Sequence, residues 1–186
     1  MIKRWEKLGD PVSASEKFYG KGIVKQMFRD PNGKEHDFYF YTLADSCVVL
    51  PVTTEGNALI IREYKQGSDE IQEGLVGGYC DKGETFEEAA RRETREETGY
   101  SAGKLIDLGH VWIVPRHSSG KVQLFLALDC KPDGKQELDE SEEIEVLQIP
   151  LSKWIEKVVS GETKESFSVT ATVRSLPYLG YYIQRR

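Results

Sequence analysis

Glu93, Glu96 and Glu97 stand at i, i+3 and i+4, with Arg92 directly before them and Glu84 eight residues upstream of Arg92. On a helix that spacing gathers three carboxylates into one narrow arc, one turn apart. Like charges so placed repel by roughly a few tenths of a kcal/mol per pair. The negative end of the helix dipole adds to the cost. Arg92, four residues before Glu96, relieves part of it. A hard divalent cation held through oxygens, such as Mg²⁺, turns the repulsion into attraction. The competing reading is a solvated face laced with salt bridges, since the fourteen positions from Glu84 to Glu97 hold six glutamates and three arginines.

A helix over about 86–98 positions these groups. Thr85 followed by Glu88 has the capping-box spacing, Phe86, Ala89 and Ala90 form the apolar stripe that packs, and Gly99 is a left-handed stop. Before it, Gly77 and Gly78 let a backbone approach closely or make a tight turn. Around it the chain alternates strand and helix signals. "GIVKQMFRDPNGKEHDFYFY" reads as two strands about a Pro-Asn-Gly turn, and "CVVLPVTTEGNALIIREY" as a second hairpin. "VWIVP", "KVQLFLALDC" and "IEVLQIP" are further strands, with the acidic loop "PDGKQELDESEE" between the last two. Ser152 is expected to cap a helix ending at Gly161, and a final helix to begin near Ser168, with Pro177 kinking or ending it.

The 186 residues suffice for one sizeable core, and a net charge of −6 argues against a broad nucleic-acid footprint. Cys47, Cys80 and Cys130 match no zinc or redox spacing, which fits a reducing compartment. His36, His110 and His117 are too scattered to form a metal cluster. "MIKRWEKLGD" lacks the apolar core of a signal peptide, and no apolar run approaches membrane-spanning length, so a cytoplasmic protein with no membrane partner is expected.

The whole run from Gly78 to Gly99 reads G-x5-E-x7-R-E-x-x-E-E-x-G. It resembles the signature of the Nudix hydrolases. The resemblance implies an α/β (α+β) fold, a Nudix-type α/β/α sandwich with a mixed sheet over 43–186, preceded by an N-terminal antiparallel β-hairpin appendage over 1–42. "REYK" (Arg62 to Lys65), Pro115, "LIIREYKQG" and "IEVLQIPLSKW" are similar to the ADP-ribose and nucleoside diphosphate sugar pyrophosphatase branch, whose N-terminal segment crosses to a partner subunit. A homodimer is implied. So is a set of metal ligands comprising Glu93, Glu96, Glu97 and the backbone carbonyl of Gly77, binding Mg²⁺, for which Mn²⁺ can substitute. Glu84 and Arg92 hold helix and loop in register, and Arg92 counts with Glu97 among the catalytic groups. Related enzymes take a further glutamate, as general base or metal ligand, from a late loop; Glu142 aligns best, with Glu140 beside it.

At the substrate end, Arg62, Lys65 and Arg116 are candidates to contact phosphates, against the alternative of ordinary surface charge. Trp5 and Phe28 are candidates to stack a nucleobase, chosen from a set that includes Phe18, Tyr19 and "FYFY"; most of these aromatics equally suit strands and dimer contacts. Thr94 replaces a bulky aliphatic residue of the box, "EGLVGG" lacks a usual proline, "RHSSGK" lacks a usual glycine and acid, and Lys65 replaces an arginine, losing a bidentate grip. The expected activity is Mg²⁺-dependent hydrolysis of nucleoside diphosphate sugars, ADP-ribose or an ADP- or GDP-sugar, to a nucleoside monophosphate and a sugar phosphate. The alternatives are a dinucleoside polyphosphate or capped-RNA hydrolase, and a non-catalytic nucleotide sensor.

Overall fold

The computed structural model describes residues 3–16, 22–118, 120–140 and 142–181. The chain clusters into two units, residues 1–45 with 112–121, and residues 46–111 with 122–186. No helix among the described residues is long and apolar enough to cross a membrane.

The first unit is a three-stranded antiparallel sheet, β1 (Glu6–Ser13), β2 (Ile23–Arg29) and β3 (Glu35–Tyr41), in that order. The β2–β3 turn forms where expected, with Asp30 Oδ1 accepting from the backbone N–H groups of Asn32 and Lys34. The expected two-stranded hairpin gains β1 as a third strand. Its register shifts between Leu8 and Val12, at Gly9 and Pro11, which erases the alternation that marks a strand in sequence. Gln26, buried in β2, donates to the carbonyls of Leu8 and Gly9 and satisfies the irregular backbone there. The segment 112–121 joins this unit through the Tyr41 N–H, which donates to the His117 carbonyl at 2.7 Å.

The second unit carries an eight-stranded mixed sheet. Its strands are β4 (Ser46–Thr53), β5 (Asn57–Lys65), β6 (Glu70–Gly74), β7 (Val76–Tyr79), β8 (Tyr100–Ser101), β9 (Lys104–Trp112), β10 (Lys121–Pro132) and β11 (Ile144–Pro150). The order is β11-β5-β4-β10-β8, with β6 on β5, β7 on β4 and β9 on β10; β4 and β10 run parallel. β4 and β5 pair at Val52↔Ala58 beside their turn, after which β4 pairs with β7 and β5 with β6. Among the described residues three α-helices accompany the sheet: α1 (Phe86–Thr98), α2 (Leu151–Ser160) and α3 (Ser166–Ser175). Cys47, Val49, Leu59, Ile61 and Val76 pack with Ala89 and Ala90 of α1 in one buried cluster.

Two helix starts differ from expectation. Ser152 lies inside α2; Pro150 occupies the cap position without a side-chain bond, its φ of −51° already near helical. Gly161 ends that helix in the left-handed conformation, as read. The last helix begins at Ser166, because both carboxylate oxygens of Glu165 accept from the N–H groups of Phe167 and Ser168. Pro177 follows in a 3₁₀ turn, Leu176–Leu179.

Candidate active site

Helix α1 carries the carboxylates, and its limits are those the caps dictate. Thr85 and Glu88 form the reciprocal capping box, and Gly99 adopts φ 73°. With the apolar side seated on the sheet, Glu93 and Glu97 are drawn inward, exposed by only 9% and 4%. Thr94, where an aliphatic residue is usual, is buried and donates its hydroxyl to the Ala90 carbonyl.

Gly77 and Gly78 are not loop residues, as the turn reading expects, but lie within β7. A Cβ on Gly77 would stand 2.3 Å from the Cys47 carbonyl, and one on Gly78 2.1 Å from Glu93 Oε1. Glycine is thus required at one position by the neighbouring strand and at the other by a carboxylate filling the space of a side chain. The Gly77 N–H donates to Glu97 Oε2 at 3.0 Å.

Arg92 organises the rest. Its Nε and Nη2 grip Glu84 at 2.8 and 2.9 Å, its Nη1 donates to Glu93 Oε1 and Glu96 Oε2 at 2.8 and 3.0 Å, and Nη2 also reaches the Tyr79 carbonyl. The bonds it donates to Glu84 lead in raising its pKa further, so the guanidinium stays charged. One cation thus faces Glu84, Glu93 and Glu96, with Asp81 at 3.9 Å. Burial pushes the Glu97 carboxyl up to about 9, against the Gly77 N–H that holds it down and with help from the charges of Glu93, Glu63 and Glu142. Burial also raises Glu93, although Arg92 opposes it.

The late acidic loop divides the two further candidates. Glu142 folds back on its own turn, accepting from the Asp139 N–H at 3.1 Å, and its charge is felt at both Glu93 and Glu97. Glu140 is exposed in the same loop. Among the described residues no ready cage of three ligand side chains exists; Arg92 holds Glu93 and Glu96, and Gly77 holds Glu97.

The substrate candidates disperse. Arg62 is paired across the sheet with its direct neighbours Glu73 and Glu145, at 2.8 Å each. Lys65 pairs with Glu63 at the end of β5. Arg116 is exposed on the turn before Ser118, in the other unit. In that unit Phe28 lines an open concavity of about 430 Å³ with Phe40, Trp112, Pro115, Gln26 and Lys7. Trp5 instead packs on His36 and Phe38, at 5.1 and 5.8 Å between centroids. Phe18 and Tyr19 lie outside the described residues. Sequence reasoning missed Glu63. Strand alternation puts Glu63 on the same face as Leu59 and Ile61, but only the structure shows that this face meets α1, where both belong to one buried cluster.

Comparisons with known proteins agree on the frame that holds these groups. The ADP-ribose pyrophosphatase of Bacillus subtilis (strain 168) is 29% identical over 163 residues, covering 86% of this chain and 88% of that protein. The ADP compounds hydrolase NudE of Escherichia coli (strain K12) is 29% identical over 130 residues, 70% and 69% of the two chains. A crystal structure of an ADP compounds hydrolase superposes with a TM-score of 0.83 over 97% of this chain and 96% of that one, at 22% identity. The model of the NUDIX domain matches residues 40–160, strands, box and late acidic loop together. The chain belongs to the NUDIX domain family.

Proposed function

We propose that this chain hydrolyses the diphosphate bond of nucleoside diphosphate sugars, ADP-ribose foremost, to a nucleoside monophosphate and a sugar phosphate, with Mg²⁺ as cofactor. The observation that carries this is the carboxylate cluster at α1: Glu84, Glu93 and Glu96 share one guanidinium, Glu97 beside them is held by the Gly77 N–H instead, and Glu93 and Glu97 are buried. A hard cation fits this donor set, because oxygen ligands of high charge are what Mg²⁺ selects. Glu93, Glu96 and Glu97 would hold it, with the Gly77 backbone beside them. The names of the relatives, an ADP-ribose pyrophosphatase and an ADP compounds hydrolase, support the substrate class.

When bound, the cation screens the diphosphate and lowers the pKa of an adjacent water. The chain's own residues do the remainder. Arg92, gripped by Glu84, keeps Glu93 and Glu96 in fixed orientation. Glu142, whose charge reaches the cluster, accepts the proton of the attacking water in preference to Glu140. The water oxygen bonds to one phosphorus and the bridging oxygen leaves with the other, so ADP-ribose and water give AMP and ribose 5-phosphate. A homodimer formed through the N-terminal sheet completes the reading; Ile23, Tyr39 and Tyr41 of that sheet are exposed apolar groups.

The test is product release from ADP-ribose, GDP-mannose, UDP-glucose, a dinucleoside tetraphosphate and a capped oligonucleotide, with Glu97→Gln alongside. Turnover of the sugar nucleotides, lost in the variant, is expected. Turnover of only the last two substrates would move the reaction to another class. Tight ADP-ribose binding without turnover would make the protein a sensor.

A further inference from the structure

Glu63 and Lys65 alternate on β5 in step with Leu59 and Ile61, so both project to the side of the sheet on which α1 packs. Their charges meet in an ion pair. Glu63 is the more sheltered partner, its side chain 19% exposed against 46% for Lys65. A cleft of about 280 Å³ holds both residues and extends to Gly77, the residue whose N–H holds Glu97. The same cleft has an apolar floor of Val48, Ile61 and Leu75.

The charges along this cleft are uneven. The α1 cluster carries more carboxylates than Arg92 balances, and Arg62 is committed to Glu73 and Glu145. An approaching diphosphate therefore meets a negative field, and Lys65, its side chain half exposed, is the cation that lines the cleft. A free lysine loses rotamer entropy when it is fixed, so a lysine already held toward the cleft binds phosphate with less ordering to be done.

We propose that Glu63 is a positioning residue: it holds the Lys65 ammonium at the mouth of this cleft, where it meets the phosphate groups of the substrate. The inference rests on the hydrolase reading above and deepens it. Glu63 acts through Lys65 and is not itself a ligand of the metal. Arginine at position 65 would keep both the pair and the phosphate contact, whereas glutamine at 63 would leave the ammonium free to swing into solvent.

Calorimetry with the non-hydrolysable α,β-methylene analogue of ADP-ribose, in Mg²⁺, separates the possibilities. It is run on wild type, Glu63→Gln, Lys65→Met, the double variant and Lys65→Arg. Expected is a weakening of Kd by about 10-fold in each single loss, no further weakening in the double variant, and restoration in Lys65→Arg. KM for ADP-ribose rises in step while kcat moves far less, and the Mg²⁺ half-saturation stays put. If the two losses multiply, or Glu63→Gln binds like wild type, the positioning role is overturned. A shifted Mg²⁺ half-saturation in Glu63→Gln overturns it too, by placing the carboxylate on the metal. A wild type that binds the analogue and turns over no sugar nucleotide defeats the hydrolase reading instead, while the coupling between the two variants is still read from Kd.

Discussion

Glu97 is the residue on which the site's physics is most concentrated. Burial raises its carboxyl to about 9 from an ordinary value of 4.5. The folded protein without metal therefore retains a proton that the unfolded chain releases, and its stability falls as pH rises from about 4.5 to 9. Thermal melts in EDTA should show this decline in the wild type and a much flatter profile in Glu97→Gln, whose amide oxygen still accepts from Gly77. Saturating Mg²⁺ should remove the difference in slope, because the metal favours the ionised carboxylate. At the same scale, Glu84→Gln loses half of the bidentate grip on Arg92. Turnover should fall by roughly 10–100-fold with little change in KM, measured under saturating Mg²⁺. That Glu93, Glu96 and Glu97 share one helix was legible from spacing alone. Glu63 was not, because its meaning depends on a strand lying beside a helix that is distant in sequence.

At the scale of elements, β7 and α1 are fitted to one another through missing side chains. Gly78→Ala would place a methyl group on the Glu93 carboxylate, the end of a side chain that can move, whereas Gly77→Ala would press on the Cys47 carbonyl, which cannot. The first substitution should therefore cost activity more than stability, and the second stability more than activity; melts and turnover on the same preparations separate them. Thr85→Ala removes the cap of α1 and should lower the melting point by roughly 2–4 °C, for about 1 kcal/mol. This helix was readable to its last residue because capping box, apolar stripe and Gly99 are all local signals. β7 was hidden because two glycines in four residues look like a turn, and β1 because its irregular register at Gly9 and Pro11 breaks the alternation. The start of α2 was misassigned for a similar reason: a serine is the usual cap, but the strand before it delivers a proline to that position.

At the scale of the whole molecule, the order of strands in the larger unit is set by pairings that no local pattern displays. The parallel pairing of β4 with β10 joins residues 76 positions apart, Val122 with Ser46 and Leu124 with Val48. Composition and periodicity gave mixed α and β; the layered arrangement came from the resemblance. The proposed homodimer belongs to this scale as well. Light scattering should show a dimer, and Tyr39→Glu with Tyr41→Glu should shift it toward a monomer, since two charges on one exposed face oppose burial.

Arg92 has one more effect, on how the protein endures scarcity. With its guanidinium spread over Glu84, Glu93 and Glu96, the chain carries a resident counter-ion for the charges that matter most. With the proposed divalent ion removed, Glu84, Glu93 and Glu96 would still face a cation rather than a bare charged hole. Chelation should silence the enzyme without unfolding it, with far-ultraviolet circular dichroism unchanged in EDTA and activity returning on dilution into Mg²⁺. A cell short of magnesium would keep the protein in reserve, folded and ready to be reloaded.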